Sequence, residues 1–136
     1  MDIKEQVCSL EPARELKRLG VKQESYWAWV IDNDGVCELK PTDTVEVGYE
    51  AYAAFTVAEL GEMLPDKIQA QLQAILMTGK ICGYSDIGDW CVQYRMHYLG
   101  TNAVEARDNS EANARAKMLI ALILNGYITD ADWLER

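Results

Sequence analysis

The chain predicts an α+β domain: an antiparallel sheet of four or five strands packed with three helices, the longest near the C-terminus. Three stretches carry that expectation. SYWAWVIDNDGVCELKP is apolar on both faces of its first half and then turns at Asp34-Gly35, the pattern of a β-hairpin. FTVAELGEMLP places Thr56 three residues before Glu59, the reciprocal capping box of a helix start. NSEANARAKMLIALILNGYI runs from a capping Ser110 to an Asn125-Gly126 stop, long enough for the main helix. All 136 residues suit a single compact domain, with an ordered core expected over about 8–128.

The first helix is expected in SLEPARELKRLG. Ser9 stands where a cap belongs, Gly20 supplies a stop, and Pro12 falls in the first turn, where its missing N–H is no loss. Ala13, Leu16 and Leu19 recur at three-residue spacing, one apolar stripe among charges. In the hairpin, Tyr26, Ala28 and Val30 alternate with Trp27, Trp29 and Ile31, so neither face of the strand is polar. Each face is expected to meet something: a helix layer on one side, a long loop or another chain on the other.

Residues 41–54 read as a loop with a short extended piece at 45–47. In the capped helix after Thr56, Phe55 and Leu60 are placed to form a hydrophobic staple and Pro65 ends the element. Gly61 inside it lowers helix propensity by roughly 1 kcal/mol relative to Ala, which suggests a close approach by a strand. DKIQAQLQAILM has apolar residues at helical spacing and equally at spacing two, so its pattern fits helix or strand. ICGYSDIGDWCVQYRMHY reads as two extended runs about SDIGD, with Val92, Tyr94, Met96 and Tyr98 on one face of the second and Cys91, Gln93, Arg95 and His97 on the other. In the last helix Ala112, Ala116, Leu119, Ile120 and Ile123 form the stripe expected against the sheet. Met118, Ala121 and Leu122 lie on the opposite side, too apolar for a solvated face.

The formal charge is −9, from 22 acidic and 13 basic residues, and the basic residues are scattered. That balance argues against direct nucleic-acid binding. The start MDIKEQVCSLEP has neither the apolar run nor the cleavage pattern of a signal peptide, and the run Met118–Leu124 is far too short to span a membrane. The expected location is the cytoplasm of a bacterial or phage-infected cell.

The four cysteines, at positions 8, 37, 82 and 91, form no CxxC, and His97 is the one histidine. Such spacing points to scattered thiols rather than to a metal site. Cys91 and His97 share a strand face, but six extended residues part them by roughly 20 Å, beyond proton-transfer reach. The DNDG stretch lacks the final glutamate and flanking helices of a calcium loop and reads as a turn. Neither GxxxxGK[ST] nor GxGxxG occurs, so no standard nucleotide cradle is present. No catalytic, cofactor-binding or metal-ligating residue is therefore nominated, and no cofactor is expected.

The blocks SLEPARELKRLGVKQESYWAWV, FTVAELGEMLP and EANARAKMLIALILNGYI, within residues 8–30, 54–65 and 109–128, resemble a family of small uncharacterised bacterial proteins encoded in phage and prophage regions. The resemblance spans somewhat under half of the chain. It implies strands in the segment between the last two blocks, which favours strand for 66–78, although IQAQLQAIL departs from the aromatic-rich pattern there. It implies no chemistry.

The expected function is non-catalytic: a small acidic phage-related protein acting through an unidentified protein partner. One alternative is an acidic inhibitor or nucleic-acid mimic that blocks a host nucleic-acid-binding protein. Another is a small enzyme with a nonstandard site. The candidate contact residues are Trp27, Trp29, Met118, Ala121 and Leu122. For the last three, the partner surface is either the N-terminal helix of the same chain or the same patch of a second subunit, as in a homodimer.

Overall fold

The computed structural model describes residues 2–65, 67–69, 77–84, 89–96 and 102–135. It has the expected α+β architecture, with antiparallel strands and the longest helix near the C-terminus. Among the described residues the strands divide into two sheets. One has the order β2-β1-β3, from β1 (Trp27–Ile31), β2 (Cys37–Pro41) and β3 (Glu50–Ala53). The other has the order β4-β5-β6-β7, from β4 (Lys67–Gln69), β5 (Met77–Tyr84), β6 (Trp90–Met96) and β7 (Asn102–Asp108). The helices are α1 (Ile3–Gln6), α2 (Leu10–Arg18), α3 (Val57–Met63) and α4 (Glu111–Leu124).

The strand reading of 66–78 holds at Lys67–Gln69 and from Met77 onward. Residues 66 and 70–76 lie outside the described residues, as do His97, Tyr98 and the turn positions 85–88. Besides the short α1, which the sequence reading did not expect, two elements differ from expectation. The loop reading of 41–54 gives way to a 3-10 turn at Thr42–Thr44 and then to β3, while 45–47 is not a strand. The stretch Asn102–Asp108, which no periodicity marked, is β7. Both strands exist because a partner pairs with them: Ala53 lies opposite Ala28 and Ala106 opposite Val92. Such pairings are set by tertiary context rather than by local sequence.

Helix ends show how local chemistry fixes the element boundaries. At the end of α2, Gly20 takes φ +93°, and Val21 N–H donates to Leu16 C=O at 3.0 Å while Gly20 N–H donates to Lys17 C=O at 3.1 Å. Gly126 does the same for α4 at φ +76°, with Tyr127 N–H on Leu122 C=O at 2.9 Å and its own N–H on Ile123 C=O at 3.2 Å. Both are Schellman closures, which need a left-handed residue that glycine adopts without strain. The capping box forms as expected: Glu59 N–H donates to Thr56 Oγ1 at 3.1 Å and Thr56 N–H to Glu59 Oε1 at 2.9 Å. Ser9 stands at the N-cap position of α2, but its side chain caps nothing there. Its hydroxyl and its N–H both donate to Asn113 Oδ1, at 3.2 and 2.7 Å, which ties α2 to α4 instead.

α4 is the centre of the molecule. It packs on β6 and β7 from one side and meets α1, α2 and α3 from the others. Ala112, Ala114, Ala116, Met118, Leu119 and Leu122 are all fully buried. At about 100° per residue these positions cover about 200° of the helix circumference. The core they enter includes Leu16, Phe55, Leu60, Leu64, Val92 and Tyr94. The buried Tyr94 hydroxyl is satisfied, donating to Pro65 C=O at 2.6 Å.

Candidate functional site

The segment from Tyr26 to Glu50 comprises β1, whose Ala28 and Val30 are buried, the DNDG turn, β2 and the loop that leads to β3. Asp32 builds the turn, its Oδ1 accepting the N–H groups of Asp34 and Val36, both at 2.9 Å. Gly35 takes φ +83°, which explains DNDG as turn chemistry. Thr42 Oγ1 donates to Ser25 C=O at 2.6 Å and Thr44 Oγ1 to Pro41 C=O at 2.7 Å, anchoring the start of the loop. Beneath the loop lies a cavity of about 240 Å³ lined by Val30, Asp32, Glu38, Val45, Glu46 and Tyr49, among others.

Two properties coincide here. Tyr26 is 80% exposed and Val47 wholly so, with Val36 and Tyr49 also open to solvent. Leu124, at the end of α4, is exposed as well. The same segment carries Asp32, Asp34, Glu38, Asp43, Glu46 and Glu50 against Lys40 alone, more than half of the chain's net charge of −9.

The contact residues expected from sequence separate into two groups. Met118 and Leu122 have no accessible surface, so the second contact of α4 is made within the chain. As a surface for a second subunit these two residues are corrected: the core already covers them. Ala121 is half-buried beside them. Trp27 and Trp29 are half-buried on β1. The Trp29 indole N–H donates to Cys8 C=O at 2.8 Å, which fixes the ring against the core rather than leaving it free to dock. On the same face, the Tyr52 ring lies under Arg14 and Lys17, 5.4 and 5.0 Å from its centroid, a cation–π arrangement. One face of β1 thus meets helices and the other lies beneath a loop of the same chain.

The remaining chemistry is weak. Cys91 donates its S–H to Glu105 Oε1 at 3.4 Å, and Gln93 and Arg107 donate to the same carboxylate at 2.7 and 3.1 Å. Burial, then that carboxylate, pushes the Cys91 thiol up, while the bonds from Gln93 and Arg107 hold Glu105 low. Burial likewise raises Cys37, and it drives Cys8 to about 12. These thiols stay protonated at neutral pH and are poor nucleophiles. Among the described residues no three His, Cys, Asp or Glu side chains are grouped to hold a metal. A cleft of about 500 Å³ runs between Trp29, Trp90, Val7 and Val57 at the start of α4, but the polar groups of Ser9 and Asn113 on its wall are already bonded to each other. No described helix is long and apolar enough to cross a membrane.

Sequence reasoning passed over Tyr26, Val36, Val47 and Tyr49. The available signal was the concentration of acidic residues between two apolar strands, which a residue-by-residue reading of 41–54 as loop dispersed. No family model matches the chain, and no curated protein or solved structure matches it.

Proposed function

We propose that the chain is a non-catalytic, phage-related protein that works by binding another protein through the segment 26–50. The observation that carries this reading is the coincidence on one segment of exposed Tyr26, Val36, Val47 and Tyr49 with most of the excess negative charge. Apolar anchors in a charged surround are the composition of a protein contact rather than of a solvated turn. The charge selects a partner with a basic surface. It equally supports the narrower reading of an inhibitor that occupies the groove where a host protein holds nucleic acid.

The test is affinity capture from the bacterial host with wild-type protein and with a Tyr26→Ser, Val47→Ser, Tyr49→Ser variant. A basic protein retained in stoichiometric amount by the wild type and lost by the folded variant is the expected result. Equal capture by both would defeat the proposal. Release of the partner by its own nucleic acid would identify the inhibitor reading.

A further inference from the structure

The strand β2 has an open edge whose backbone can be read group by group. The register sets Trp27 opposite Pro41, Trp29 opposite Leu39 and Ile31 opposite Cys37. At the two ends of the ladder, Asp32 N–H donates to Val36 C=O at 3.0 Å and Thr42 N–H to Tyr26 C=O at 2.9 Å. Bonded pairs recur at every second residue of an antiparallel ladder, so those between are Val30 with Glu38 and Ala28 with Lys40. Glu38 and Lys40 direct their backbone groups to β1. Cys37 and Leu39 direct theirs outward, where no described strand pairs with β2, while Pro41 has no N–H and its C=O already accepts from Thr44 Oγ1 at 2.7 Å. The other edge of this sheet is covered: α2 packs along β3, and Lys17 Nζ donates to Ala51 C=O at 3.0 Å.

The two faces beside the open edge differ. Alternation puts Cys37, Leu39 and Pro41 on the face of Trp27, Trp29 and Ile31. It puts Glu38 and Lys40, an ion pair at 3.6 Å, on the face of Val30 and Ala28, where Asp32 and Glu46 also line the cavity under the loop and leave the carboxylates in excess. A strand laid along β2 would find apolar neighbours on one side and, on the other, three carboxylates against Lys40.

Building on the protein-binding role above, we propose that β2 accepts an extended segment of the partner as an added strand, and that this segment alternates apolar with basic residues. Main-chain bonds to Cys37 and Leu39 hold it, and the two faces select its side chains. A second copy of this chain suits the edge poorly, because it would bring two acidic segments together.

The test uses a fluorescein-labelled peptide of alternating lysine and valine. It should bind the wild type saturably, and the affinity should fall as salt rises. A peptide of alternating glutamate and valine should not bind. Leu39→Pro removes an outward N–H that β1 does not use, so the ladder survives while peptide affinity drops at least about tenfold. If that variant fails to fold, a lysine–valine peptide with alternate amides N-methylated replaces it and should lose binding to the wild type. Absence of binding, equal binding of the acidic peptide, or undiminished binding by folded Leu39→Pro would each overturn strand addition. So would a dimer in sedimentation that Leu39→Pro dissolves, since the occupant would then be a second copy. Partner capture that survives Leu39→Pro but is lost in the Tyr26, Val47, Tyr49 variant would leave the binding role standing and remove the added strand alone.

Discussion

The guanidinium of Arg115 on α4 occupies the space that a β-carbon on Gly61 of α3 would need. Arg115 is held there by Glu111 at 2.9 Å and by Val57 C=O at 3.4 Å, with its side chain 18% exposed. Gly61→Ala, which in an open helix stabilises by about 1 kcal/mol, should here destabilise by about 1 kcal/mol, because Nη1 must leave its acceptor. In an Arg115→Ala background the same substitution should stabilise. Urea unfolding of the four proteins measures the coupling, and additive effects would show that the two residues do not compete for space.

Glu59 closes more than its own helix. Its Oε1 accepts from Thr56 N–H and also from Ser25 Oγ at 2.8 Å, just before β1 begins. Thr56→Ala should lower stability by about 1 kcal/mol, the usual value of a cap. Glu59→Ala should lower it further, and Glu59→Gln should recover most of that loss because the amide oxygen keeps both acceptor roles. Thermal melts followed by circular dichroism would decide the order of the three.

Cys8 makes stability fall at high pH. Its thiol has no accessible surface, and burial moves it from an ordinary value of 9.0 to about 12. A value raised by folding contributes stability in full below the unfolded value and loses it as pH rises through the folded one. The Cys8 contribution is therefore constant below pH 9.0 and declines between there and about 12. Urea midpoints across that range should fall less steeply for Cys8→Ala than for the wild type. Iodoacetamide at pH 8 should label the exposed Cys37 before Cys8 or Cys91.

Met118→Ala should lower the unfolding free energy by about 2–5 kcal/mol through the cavity it leaves, with no change in sedimenting mass. Leu124→Glu, six residues along the same helix and 61% exposed, should stay within about 0.5 kcal/mol of wild type. A folded Met118→Ala of lower mass than wild type would place the side chain at a subunit interface.

What the sequence disclosed follows the range of the forces involved. The DNDG turn, the Thr56–Glu59 box and the Gly126 stop are local: their donors and acceptors lie within a few residues, so the letters alone specify them. Ser9 stands at the N-cap position that the letters indicate, but its side chain turns to Asn113, 104 positions away, instead of capping α2. Gly61 was rightly read as a point of close approach, but the neighbour is a helix side chain rather than a strand. The division of the strands between two sheets depends on which edges find partners, and no short-range pattern records that. The same holds for the candidate contact residues. Met118 and Leu122 are apolar enough for an interface, and burial by α4's neighbours is what removes them from the surface.

The wide burial of α4 gives the molecule an uneven internal clock. Its neighbours in both directions must separate before most of its amides meet water, so those protons should exchange only when the whole domain opens. Leu39 N–H, which no described strand partners, needs no opening at all. The slowest and the fastest ordered amides would then differ by nearly the full folding free energy, and the fast ones would lie along the strand proposed to receive a partner. Pairing there would require no part of the core to loosen.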